Sequence, residues 1–204
     1  MTVSIYEQIL GQAFYQLHPK LQQRYTFLQD RPFEARGVMK RIKGVPKGLL
    51  PLGLFGVKRK LLFPERGKGV PFTLKNTPGT GRDGEAQVHW ERIFYFGEKQ
   101  RYFNALMRFN AKEAIIEDYL GEPPIVYSDL ELAVDHGALT ITSKRQHLLL
   151  GPVEIPLPSI FQGKATVKEA YIEEKEAYTI SVQVKNPLIG IIFAYEGAFR
   201  HYDI

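Results

Sequence analysis

Alternation of apolar and polar residues is the clearest signal in this chain, and it is sharpest over Ala86–Phe96. Ala86, Val88, Trp90, Arg92, Phe94 and Phe96 share one face, while Gln87, His89, Glu91, Ile93 and Tyr95 share the other. A period of two predicts a strand with one buried and one wetter face. Arg92 is the anomaly, a guanidinium among five apolar side chains. Facing a dry core it would be costly unless paired, so the pattern points to a cavity holding water, an acid or a ligand.

The same alternation recurs downstream. Arg101–Asn110 places Phe103, Ala105, Met107 and Phe109 on one face, and Glu113–Leu120 follows. Val126, Ser128, Leu130, Leu132 and Val134 form the next inward set, and Asp135-His136-Gly137 predicts a tight hairpin to Leu139, Ile141 and Ser143. Gly151–Pro158 reads as a stiff extended connection. Ala165–Glu173 and Tyr178–Val184 make a further hairpin, and Asn186-Pro187 reverses the chain into Leu188–Tyr195. Turns roughly every ten residues predict an antiparallel meander of seven to nine strands that curls or closes.

Ahead of these strands, Ser4 and Glu7 have capping-box spacing. Ile5, Ile9, Ala13 and Leu17 form a helical stripe, and Pro19 can open a second turn through Leu21 and Tyr25. The predicted class is α+β, mostly antiparallel β: a curved meander sheet or partly open barrel packed around an N-terminal helix. One domain is expected over residues 1–204, with a helical part (1–30), a basic, Gly/Pro-rich apolar segment (36–69) and antiparallel strands (70–197).

Charge sharpens the picture of the middle segment. The chain carries a net +5, yet residues 36–68 hold ten basic side chains against the single acid Glu65, so the remainder is net negative. Glycine and proline recur too often there to predict a stable helix. Two short edge strands guarded by lysines is one reading. The other is a flap, with Leu54 and Phe55 flanked by Lys58, Arg59 and Lys60, that covers a cavity or touches an anionic bilayer surface. Nucleic acid is disfavoured, since few aromatics interleave with the charge.

Several chemistries are absent or weak. The chain has no cysteine, which removes disulfides and thiolate chemistry and suits a cytoplasmic protein, with peripheral contact at the inner membrane face compatible. Its N-terminus lacks the pattern of a signal peptide. Its apolar runs fall short of the roughly 20 residues that span a bilayer. The five histidines show no metal-ligand spacing, so neither a metal nor a cofactor is expected. Gly79-Thr80-Gly81-Arg82-Asp83-Gly84 matches a dinucleotide fingerprint, but the strand that follows it predicts a hairpin loop instead.

Arg92 is therefore the leading candidate, its planar fork suited to a carboxylate or phosphate head, with Trp90, Phe94 and the inward Tyr195 as cavity wall. Glu117, Asp118 and Glu196 are the candidate charge partners, and His89 is expected to pair with Glu91 on the outer face. An acid–base enzyme using these groups, and a ligand-free interaction module, are the alternatives to binding a hydrophobic or amphiphilic small molecule.

Trp90-Glu91-Arg92-x-Phe94, Gly151-Pro152-Val153-x-Ile155-Pro156-Leu157-Pro158 and Asn186-Pro187-x-Ile189-Gly190 with Tyr195-Glu196-Gly197 together resemble the bacterial domain of unknown function 4166. The resemblance runs from the N-terminal helix to Gly197. Members occur alone or fused to other modules, including nucleotide-binding oxidoreductase-like domains. This implies an accessory or substrate-handling role, and it transfers no catalytic residue.

Overall fold

The computed structural model of the chain describes residues 4–26, 31–151 and 153–202. Helices α1 (Ile5–Leu10) and α2 (Pro19–Tyr25) flank a 3-10 turn over Gly11–Gln16, and α3 spans Leu50–Lys58. The strands are β1 (Phe33–Lys43), β2 (Val70–Thr80), β3 (Ala86–Phe96), β4 (Lys99–Tyr102), β5 (Ala105–Asn110) and β6 (Ile115–Gly121). They continue as β7 (Pro124–Asp135), β8 (Ala138–Leu150), β9 (Val153–Pro156), β10 (Lys164–Ile172), β11 (Ala177–Asn186) and β12 (Gly190–His201).

Ten of these strands form a ring in the order β10-β11-β12-β1-β2-β3-β5-β6-β7-β8. Antiparallel pairing of β8 with β10, from Leu139↔Glu169 to Thr142↔Thr166, closes it. The sheet is mostly antiparallel, as the alternation predicts, and the barrel is fully closed. β4 lies beside β3 beyond the end of β5, and β9 pairs only with β8. Gly81 to Glu85 forms the β2–β3 turn, so the glycine-rich motif is a hairpin.

The helices fill the two ends. At the end holding the β7–β8 turn, the His18 N–H donates to the Gly137 carbonyl (2.9 Å) and the Tyr178 hydroxyl to the Lys20 carbonyl (3.1 Å). Ile5, Tyr6, Phe14, Leu17, Leu21 and Tyr25 from this helical segment are all buried in the common core. The expected stripe is real, but the helix breaks after Leu10, where Gly11 takes φ 51°. Ser4 caps through the Tyr6 N–H (3.3 Å), while Glu7 accepts from the Tyr15 hydroxyl (2.7 Å).

At the other end, residues 44–66 cross the barrel mouth. On one side Val45 N–H donates to Phe63 C=O (2.9 Å), and Ile42 exchanges bonds with Gly67 (2.8 and 3.2 Å). On the other, Asn104 N–H donates to Lys60 C=O (2.8 Å) and Glu122 N–H to Arg59 C=O (2.7 Å). β1 and β6, the strands nearest these anchors, stand four places apart in the ring, so the segment bridges nearly opposite walls. Leu61, Leu62 and Phe63 are buried beneath it.

Two expectations for this region are corrected. β1 is an internal strand between β12 and β2, not an edge. Leu50–Lys58 is helical despite its glycines and proline. Pro51 lies in the first turn, where its missing N–H costs nothing. Gly53 and Gly56 form the face on which α3 rests: a Cβ on Gly56 would lie 2.5 Å from the Leu62 carbonyl oxygen. These glycines are contact surfaces for the chain below, not helix breakers. The predicted strand Arg101–Asn110 is also interrupted, because Phe103 and Asn104 turn in to bond β3.

This packing sets a sign. By helix propensity alone Gly56→Ala should stabilise α3, but the contact requires about 1–3 kcal/mol of destabilisation. Gly48→Ala, with open space around its position, should be neutral. Thermal unfolding of the two variants distinguishes these cases, and a stabilised Gly56→Ala would mean α3 is not seated as described.

Candidate functional site: a buried polar cluster inside the barrel

β3 carries the centre of the site. Its burial alternates as the sequence predicts, with Val88, Trp90, Arg92 and Phe94 inside, and Arg92 only 3% exposed. Arg92 Nη1 donates to the Tyr195 hydroxyl (3.3 Å), and its guanidinium lies 4.4 Å from the Phe103 ring centroid and 5.4 Å from that of Trp90. Phe94 packs edge-on against Tyr195 at 5.0 Å. The structure thus brings Arg92, Trp90, Phe94 and Tyr195 together.

The candidate charge partners separate. Asp118, paired in register with Ser128 and Met107, is buried and lies within the electrostatic reach of Arg92. Burial pushes its carboxyl up to about 7, and Arg92 only partly opposes this. Glu117 points to the other face, as its neighbour must in a strand. There it accepts from Arg108 Nε (2.7 Å) and Asn110 Nδ2 (2.8 Å). Glu196 is exposed on the outer wall and is no partner of Arg92. Among the described residues Arg92 makes no ion pair, and its Nε has no hydrogen-bond partner. Asp118 Oδ1 and Ser128 Oγ are likewise buried without partners.

A second buried cation was not singled out in the sequence. Arg24 of α2 is 2% exposed and pairs with Glu169 of β10, which also accepts from the Tyr25 hydroxyl. The Arg24 guanidinium lies 5.3 Å from the Trp90 ring centroid, so Trp90 is within reach of both arginines. Its indole N–H donates to the Tyr6 hydroxyl (2.9 Å), which donates to Met107 Sδ (3.1 Å). Burial raises the hydroxyls of Tyr6, Tyr25 and Tyr195 above the ordinary tyrosine value, so they stay protonated; Tyr6 and Tyr25 donate, and Tyr195 accepts from Arg92. The signal was present: Arg24 follows Leu17 and Leu21 at helical spacing, and Glu169 shares the alternation of Ala165 and Val167. A cleft of about 490 Å³ reaches Arg24 between Lys20, Arg31, Arg200 and His201. The Nε atoms of Arg24 and Arg92 are both unpartnered, but Arg24 is paired with Glu169, so among the described residues Arg92 is the buried arginine without an ion pair.

Outside the barrel, His89 bonds Glu122 (2.6 Å) and not Glu91. Burial would raise the Glu122 carboxyl, but Lys60 (2.6 Å), Asn104 (2.9 Å) and His89 outweigh it and hold it at about 2. Lys60 therefore helps to anchor the α3 segment, whereas Leu54 and Phe55 are exposed and the Arg59 guanidinium lies 5.5 Å from the Phe55 ring. Among the described residues no group of three or more His, Asp or Glu is placed to hold a metal ion.

Two outcomes follow. Arg24→Met should cost about 3–5 kcal/mol, because it strands a buried carboxylate, and adding Glu169→Gln should recover part of that loss. Equal stability of the single and wild-type proteins in denaturant would refute the pairing. For Asp118 the folded value of about 7 lies above the ordinary carboxylate value of about 4. The folded state therefore holds an extra proton between them, and the associated stability is complete below about pH 4 and lost as pH rises to about 7. Relative to Asp118→Asn, wild-type stability should fall through that window and level off above it. Parallel curves would show that Asp118 ionises freely.

The family described as "Domain of unknown function (DUF4166)" matches residues 17–199. The chain is also 39% identical, over 205 residues covering 98% of each chain, to "Uncharacterized protein YndH" of Bacillus subtilis (strain 168). The family match runs from just before α2 to Phe199 in β12 and so takes in nearly the whole ring, and on these grounds the chain belongs to the DUF4166 family.

Proposed function

We propose that this barrel is a non-enzymatic binding protein for a lipid-like or other hydrophobic small molecule, whose acidic head is held by Arg92. The observation that carries this reading is the enclosed guanidinium of Arg92, without an ion pair among the described residues and with Nε unpartnered. Asp118, protonated up to about 7, is a weak counter-ion. A carboxylate or phosphate meets a two-pronged donor there and removes the cost of the orphaned group.

The apolar part of such a molecule would take the place of core side chains at the α3 end. Phe63 packs against Phe94 (5.2 Å) and Phe193 (4.9 Å) in an aromatic layer between α3 and Arg92. Lifting the 44–66 segment exchanges Leu61, Leu62 and Phe63 for ligand, apolar for apolar, so the ligand selects a conformation that costs little burial. One observation favours a second reading, a ligand-free interaction module: in the described conformation aromatic side chains already occupy the interior. An enzyme acting on a hydrophobic substrate in the same place is the third, with Asp118 as its acid or base.

Native mass spectrometry of protein purified without detergent, followed by solvent extraction, separates them. A discrete extra mass that proves to be an acidic amphiphile, lost in a folded Arg92→Leu variant, is the expected result. A clean apo mass across preparations, with no thermal stabilisation by added fatty acid, would overturn the binding reading in favour of the interaction module.

A further inference from the structure

The two ends of the barrel differ in what they show to solvent. Among the described residues, eleven of the thirteen large apolar side chains that are exposed lie on segments at the α3 end; Tyr15 and Val38 are the exceptions. Leu50, Leu52, Leu54 and Phe55 come from α3, each 44–54% exposed. They are joined by Phe161 at 68%, in the turn before β10, and Leu188 at 74%, in the β11–β12 turn. Register places these turns at the same end. Lys164 opposes Lys185, and Lys43 opposes Ala194 close to where β12 begins. Asn186 Nδ2 ties the two turns together through the carbonyls of Ile160 (2.7 Å) and Gln162 (3.0 Å).

Helix α3 explains why this apolar surface is outside. It rests on Gly53 and Gly56, its buried residues, with Val57 packed beside them, so Leu50, Leu52, Leu54 and Phe55 face outward. A helix that is apolar on most of its circumference requires cover. Nine residues are far too few to cross a bilayer. The surrounding charge says what kind of cover fits. Lys43, Lys47, Lys58, Arg66 and Lys68 are exposed around the segment, and its single acid, Glu65, is taken by Arg101. The barrel wall carries ion pairs such as Glu34–Lys75 (2.7 Å) and Arg108–Glu117 (2.6 Å), unlike the apolar band of a membrane-spanning barrel.

We infer that the α3 end of the barrel docks onto an anionic lipid bilayer, with α3 and the neighbouring turns entering the headgroup boundary and the ring of lysines and arginines over the phosphates. Glu98 and Glu154 are exposed at the same end, but they are outnumbered by the five exposed cations of the α3 segment, and an apolar patch with a net positive rim has this complementarity. The inference stands apart from the ligand at Arg92: it concerns the outer surface of the segment, and its test leaves the interior untouched.

The test is flotation of the full chain with phosphatidylcholine vesicles and with vesicles containing an equal share of phosphatidylglycerol, at low and high salt. Strong partition onto the anionic vesicles, weakened by salt, is expected. Leu54→Glu with Phe55→Glu should reduce it by about tenfold or more, with unchanged circular dichroism because both side chains are exposed. Neutralising Lys47 and Lys58 with glutamine should reduce it by about fivefold for each charge removed. Absence of partition by folded protein, partition that survives the Leu54/Phe55 change, or equal partition onto neutral vesicles would each overturn the inference. Loss of vesicle binding with an amphiphile still bound at Arg92 would locate the failure here and leave the interior reading intact.

Discussion

Closing ten strands into a ring encloses more volume than inward side chains alone fill, since about eight strands is the size at which a barrel packs its own interior. Much of this structure answers to that surplus. One end receives the N-terminal helices, which contribute Ile5, Tyr6, Leu21 and Tyr25 to the core. The other receives Leu61, Leu62 and Phe63 from beneath α3. Neither plug would be stable alone, for α1, α2 and α3 have six, seven and nine residues, below the roughly 12–15 at which isolated helices become marginal. The barrel makes them helices by burying their faces.

Filling a barrel from its ends also explains where the buried charge sits. The inward row of β3 passes from Trp90, which meets the N-terminal plug through Tyr6, to Phe94, which meets the α3 plug through Phe63. Arg92 lies between the two plugs. Arg24 arrives with the first plug and finds its acid on β10, one of the two strands whose pairing closes the ring. That pair links helix and closure in one contact, and buried polar pairs of this kind favour one arrangement over its neighbours. Arg92 has no such commitment, and this difference separates a structural cation from a candidate binding one.

The plugs differ in how firmly they are held. The N-terminal one is tied by a buried ion pair, the Trp90–Tyr6–Met107 chain and a broad apolar face. The 44–66 segment is tied at its margins by backbone bonds and the Lys60–Glu122–His89 cluster, while α3 contacts the rest through Gly53, Gly56 and Val57. Val45, Leu61, Leu62 and Phe63 of this segment are buried in the core, whereas α3 itself lies on the surface. The end closed by α3 is also the end with the apolar, cationic surface.

The alternation of β3, the repeated turns, the hairpin nature of the Gly79–Gly84 motif and the inward direction of Arg92 and Tyr195 were legible in the sequence, because the period of side chains in a strand is a local property. The helical stripe from Ile5 to Leu17 was legible too, although not its break after Leu10. The α3 helix was not, because glycine reads as a breaker until the carbonyl of Leu62 is seen lying beneath Gly56. The pairing of charges was least accessible. Glu117 and Asp118 are adjacent in sequence, yet strand direction sends one to Arg108 outside and the other toward Arg92 inside, and Glu169 meets Arg24 across 145 residues. Periodicity determined which side chains face inward; only ring closure and the insertion of the plugs decided which of them meet, since those contacts join segments that have no local relation.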